Sequence, residues 1–118
     1  MNILGIGLAM LLLDAVYLRT AGITLFKPLV ETIQSSEMRV RVPYAVVVYA
    51  LLLLSFYVFV IRKKASVMEA FILGMCIYGV FDFTNMALFD KYSLKIAIFD
   101  TVWGGILFAT LAFLFKNI

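Results

Sequence analysis

The stretch ASVMEAFILGMCIYGVFDFTNMALF (65–89), followed by DKYS (90–93) and LKIAIFDTVWGGILFATLAFLF (94–115), decides the fold. Two apolar runs, each long enough to cross a hydrocarbon layer as a helix rising about 1.5 Å per residue, flank a polar break of Asp90, Lys91, Tyr92 and Ser93. So short a connection forces an antiparallel hairpin. Working outward, the run Val42 to Ile61 carries hardly any polar side chain beyond Tyr44, Tyr49, Ser55 and Tyr57. Pro43 opens it and the basic cluster Arg62, Lys63, Lys64 closes it. At the front of the chain, Ile3 to about Leu18 gives a shorter run, roughly 24 Å as a helix, bracketed by Asn2 and Arg19. It lacks an early Lys or Arg and contains Asp14, so it reads as a retained span and not as a cleaved signal peptide.

The expectation is an all-α integral membrane four-helix bundle, one transmembrane domain over residues 1–118, with spans at about 3–18, 42–61, 65–89 and 94–115. Both termini then lie on one side. Between the first two spans, Leu25, Phe26, Leu29, Val30 and Ile33 recur at helical spacing against Lys27, Glu31 and Gln34. This pattern predicts an amphipathic interfacial helix over about 23–38, with Pro28 in its first turn.

Composition agrees. Hydrophobic residues make up 65% and charged residues 14% of the chain, with a mean hydropathy of +1.10. A soluble domain of this size could not hide so much apolar surface in one core, so the lipid bilayer is the expected surrounding, in a multi-pass arrangement. The net charge of +3 does not point to nucleic acid, because the basic residues sit in the short connections. Arg39, Arg41, Arg62, Lys63 and Lys64 are expected at the membrane surface. Histidine is absent, which removes the usual neutral-pH base, proton shuttle and imidazole ligand. Cys76 is the one cysteine, so no intrachain disulfide can form. No haem motif, phosphate-binding glycine loop or nucleophile elbow is present.

Against this background three residues stand out. Asp14, Asp82 and Asp100 lie inside apolar runs, where one carboxylate costs about 2.5 to 3.5 kcal/mol on insertion scales. Asp14 and Asp82 fall near the C-terminal ends of the first and third spans, and Asp100 near the start of the fourth. With alternating helix direction all three reach one membrane face, roughly 8 to 10 Å deep. Asp14 with Tyr17, Tyr78 with Asp82 and Asn85, and Asp100 with Trp103 share helix faces by their three- and four-residue spacings. The candidate polar site is therefore Asp14, Tyr17, Tyr78, Asp82, Asn85, Asp100 and Trp103.

Three readings fit these residues. Converging carboxylate, amide and hydroxyl oxygens suit a proton or a monovalent or divalent cation, bound or conducted in a channel- or transporter-like way. A lipid-modifying enzyme, or an accessory subunit of one, would use an aspartate pair as acid and base. A structural scaffold would pair the aspartates with Arg39 or Arg41. The small residues Gly5 with Ala9, Ala70 with Gly74, and Gly105 with Ala109 allow close helix approach. Because the bundle is too small to enclose a wide pore, a channel would call for a homo-oligomer across such faces.

The segments AFILGMCIYGVFDFTNMALF (70–89) and IAIFDTVWGGIL (96–107) resemble the signature of a bacterial and viral membrane-protein family, domain of unknown function 2177. The resemblance extends to PYAVVVYA (43–50) and to the aspartate of the first span. It implies that Asp14, Asp82, Thr84, Asn85, Asp100, Thr101, Trp103 and Gly104 occupy signature positions, which adds Thr84 and Thr101 to the candidate site. Val16 and Tyr17 depart from the Trp and Leu usual in the family. The family brings no established activity, and its bacterial members often neighbour genes of fatty-acid modification.

Overall fold

The computed structural model describes residues 3–115 and contains four helices, with no strand among those residues. They are α1 (Ile3–Gln34), α2 (Val42–Arg62), α3 (Val67–Leu88) and α4 (Leu94–Phe115), and each is long and apolar enough to cross a membrane.

The α3–α4 hairpin is the spine. At the start of α3 the Ser66 hydroxyl accepts the Glu69 backbone N–H at 3.0 Å, and the Glu69 carboxylate accepts the Ser66 N–H at 2.8 Å. This reciprocal cap begins the helix at Val67, two residues after the apolar run starts. α3 ends when Phe89 turns extended, with φ −114° and ψ 119°. The hairpin closes with near backbone contact. A Cβ built on Gly74 would lie 2.8 Å from Phe108 Cβ, and one on Gly104 would lie 2.6 Å from the Gly74 carbonyl oxygen. Glycine is required where the two backbones approach this closely.

Around the hairpin, α1 and α2 close a bundle measuring 45 × 24 × 21 Å. Its apolar core joins Ile6 and Met10 of α1, Leu52, Phe56 and Val60 of α2, Ala70 of α3, and Leu107, Phe108, Leu111 and Ala112 of α4. Phe56 and Phe108 meet edge to face with ring centroids 5.2 Å apart. The outward faces carry exposed Leu, Val, Ile and Phe, as a lipid-facing surface requires.

The first helix differs from expectation. Instead of a span near 3–18 and a separate amphipathic helix near 23–38, one helical stretch runs through from Ile3 to Gln34. Nothing in Arg19-Thr20-Ala21-Gly22-Ile23-Thr24 stops a helix. The chain widens to π winding over Leu18–Phe26 and resumes α geometry over Lys27–Gln34. The Thr20 and Thr24 hydroxyls donate to the Val16 and Thr20 carbonyls at 2.9 and 2.7 Å, satisfying acceptors in the loosened turns. The stop comes at Ser35, left-handed with φ 58°. Thirty-two residues overrun a hydrocarbon layer of about 30 Å. The overrun is the amphipathic part, held by a Lys27–Glu31 ion pair at 2.9 Å.

Candidate functional site

The site is built from helix faces that the sequence aims inward. On α1, Asp14 and Tyr17 are three residues apart and both buried. On α3, Tyr78, Asp82 and Asn85 follow one another by four and three residues, and on α4 Asp100 and Trp103 by three. The three aspartates are 5%, 0% and 5% exposed, in chain order.

Each carboxylate accepts hydrogen bonds from aromatic side chains of other elements. The Tyr17 hydroxyl donates to Asp100 Oδ1 at 2.6 Å. The Trp103 indole N–H donates to Asp14 Oδ1 at 3.1 Å, and the Tyr49 hydroxyl of α2 donates to Asp14 Oδ2. The Tyr92 hydroxyl, from the loop between α3 and α4, donates to Asp82 Oδ1 at 2.8 Å. All four helices and one loop therefore contribute. Tyr17 is held in place by stacking on Trp103, at 4.6 Å and 2° between rings, and on Phe99, at 6.1 Å and 17°.

The three aspartates form one electrostatic group: Asp100 acts on both Asp82 and Asp14, and Tyr78 feels all three as well as Tyr49. Among the described residues none of them forms an ion pair with Lys or Arg. Arg39 and Arg41, expected partners in the scaffold reading, are exposed in the α1–α2 connection, where the Arg41 guanidinium lies 4.6 Å over the Tyr44 ring. Arg62, Lys63 and Lys64 are exposed at the far end of α2.

Among the described residues two buried side-chain oxygens, Asp82 Oδ2 and Thr101 Oγ1, have no hydrogen-bond partner. Thr101 faces α3, since a Cβ on Gly79 would lie 3.2 Å from its methyl carbon. Its side chain and that of Asp100 are the α4 groups acting on Asp82. Asn85 is half-buried one turn on, beside Tyr92. Thr84 lies outside the group. Two residues after Asp82 is more than half a helical turn, and Thr84 is exposed on the opposite side of α3.

Among the described residues no three Asp, Glu or Cys side chains converge to hold a metal ion. Among the described residues an open hollow of about 540 Å³ runs along Arg19, Thr24 and Phe99 and another of about 520 Å³ along Gln34, Arg39 and Arg41. Neither is lined by the aspartates. In the loop, burial pushes the Tyr92 phenol well above its ordinary range, and its bond to Asp82 pushes it further.

A family model described as a predicted membrane protein matches residues 1–115. The chain belongs to the DUF2177 family. The DUF2177 match takes in all four helices and thus every residue of the site. No curated protein and no solved structure matches the chain.

Two members of this group in the DUF2177 chain escape sequence reasoning, Tyr49 and Tyr92. Tyr49 shares its span with Tyr44 and Tyr57, and nothing local distinguishes it. Tyr92 carries a usable signal, as the one aromatic in a four-residue break that is otherwise Asp, Lys and Ser.

Proposed function

We propose that this DUF2177 protein is a proton-binding membrane protein, taking up and releasing protons from one face at the Asp14, Asp82 and Asp100 group. The observation that carries this reading is the set of partners: buried carboxyls held by phenol and indole donors and, among the described residues, by no cation. Such a carboxyl can gain or lose a proton without an ion pair having to break. Among the described residues Asp82 Oδ2 has no hydrogen-bond partner and is a free acceptor for a proton, on a carboxyl that Asp100 and Thr101 of α4 both act on.

Three further points favour a proton over the larger ligands considered. Side chains at most 5% exposed offer a lipid acyl chain no approach. Among the described residues no three acidic side chains converge, as a multidentate cation cage would require. Beyond the aspartates, Ile6, Met10, Phe56, Val60, Leu107, Phe108 and Leu111 fill the interior with apolar atoms. That layer gives a proton no carrier, so the reading is binding from one side and not conduction through a single chain.

The test is infrared spectroscopy of the protein in lipid nanodiscs across a pH series. A carboxylic C=O band should titrate and should lose intensity in Asp82→Asn. No titrating carboxylic band outside the contribution of exposed carboxylates overturns the proposal.

A further inference from the structure

Asp82 is fully buried, so a proton bound there needs a route from water. Among the described residues, Tyr92 hydrogen-bonds Asp82 from a segment outside the spans. This residue sits in the loop between α3 and α4, flanked by the exposed Asp90 and Lys91 on one side and Ser93 on the other. Its ring turns inward until the residue is only 8% exposed, and its hydroxyl reaches Asp82 Oδ1 at 2.8 Å. The Tyr92 backbone N–H closes the turn onto the Phe89 carbonyl at 3.3 Å, a bond any residue but proline could make, and its side chain does not cap α4, which starts with the Ser93 hydroxyl accepting the Ile96 N–H at 3.3 Å. α3 likewise ends on a Phe89 N–H to Asn85 carbonyl bond of 2.8 Å.

We infer that the Tyr92 hydroxyl is the port through which protons pass between the aqueous face and Asp82. The inference rests on the proton-binding reading and names the entry residue of that site. In the inward step a hydronium at the loop gives a proton to a lone pair of the Tyr92 oxygen as the Tyr92 O–H passes its own proton to Asp82 Oδ1. The hydronium becomes water, the phenol ends neutral and Asp82 gains one proton. Rotation of the C–O bond then resets the hydroxyl, and the reverse sequence releases the proton. The two transfers are concerted, because a phenol this deeply placed does not ionise on its own. Asn85, beside the Tyr92 hydroxyl on the same face of α3 as Asp82, is placed to steer that rotation.

The experiment follows hydrogen–deuterium exchange of the carboxylic C=O band after a switch to D2O, in nanodiscs, for wild type, Tyr92→Phe and Tyr92→Ala. Tyr92→Phe keeps the ring and removes the relay, so exchange should slow roughly tenfold or more, in the range expected for loss of a positioned proton-transfer group. Tyr92→Ala removes the ring that covers Asp82 and lets water in, so exchange should be at least as fast as in wild type. A Tyr92→Phe rate equal to wild type, or equal slowing in both variants, overturns the port and leaves the proton site standing. Absence of the band in wild type removes the proton reading itself.

Discussion

Gly74→Ala places a methyl group where α4 already runs. The added carbon would sit 2.8 Å from Phe108 Cβ and 2.9 Å from the Gly104 carbonyl carbon, and closer still to the Gly104 oxygen. Ordinary contact begins near 3.4 Å, so the two helices must part by roughly 1 Å. The obstructing atoms are backbone and a Cβ, which no rotamer change can move. Overpacking of this kind costs about 1 to 3 kcal/mol. Gly7→Ala supplies the contrast. There the new methyl meets the Leu53 Cδ2 atom at 3.2 Å, the tip of a flexible side chain, and the cost should be about 0.5 kcal/mol or less. Both variants can be unfolded in mixed micelles with a denaturing detergent, following helix content by circular dichroism. Emission from Trp103, the sole tryptophan, reports the site at the same time. The Gly74→Ala midpoint should fall well below that of Gly7→Ala. Equal midpoints would refute the claim that the α3–α4 backbones touch at Gly74 and Gly104.

Asp14→Ala leaves the Tyr49 hydroxyl and the Trp103 N–H without their acceptor, at a cost of about 1 to 3 kcal/mol. The same unfolding assay reads it, and Trp103 emission of the folded protein should shift as well. Ser66→Ala removes the side-chain half of the α3 cap and should cost about 1 kcal/mol without altering Trp103 emission, because the cap lies at the opposite end of α3 from Asp82.

The spans and their alternation were legible because apolar run length and polar breaks are direct consequences of bilayer thickness. The same alternation places Asp14, Asp82 and Asp100 toward one end, and three- and four-residue spacing selects Tyr17, Tyr78 and Trp103 as their neighbours. Helical periodicity also holds the reason that Thr84 points away, although the family signature groups it with Asp82. The continuity of α1 was hidden, since a mixed polar segment such as 19–26 reads equally as a turn or as helix leaving the membrane. Which tyrosine reaches which carboxylate was hidden too. Tyr49 with Asp14 and Tyr92 with Asp82 depend on how helices rotate against each other and how a loop folds back, which hydropathy does not encode.

The most direct test of the central claim is site-resolved carbon-13 solid-state NMR of the aspartate carboxyls in bilayers, across a pH series. The chain has Asp14, Asp82, Asp90 and Asp100, and the exposed Asp90 serves as internal reference. The Asp14, Asp82 and Asp100 carboxyls should show through-space cross-peaks to tyrosine ring carbons bearing the hydroxyl, and a signal of this buried group should change as a proton is taken up across the series. Signals of the group that stay the same at every pH, with no tyrosine cross-peak, would contradict the claim.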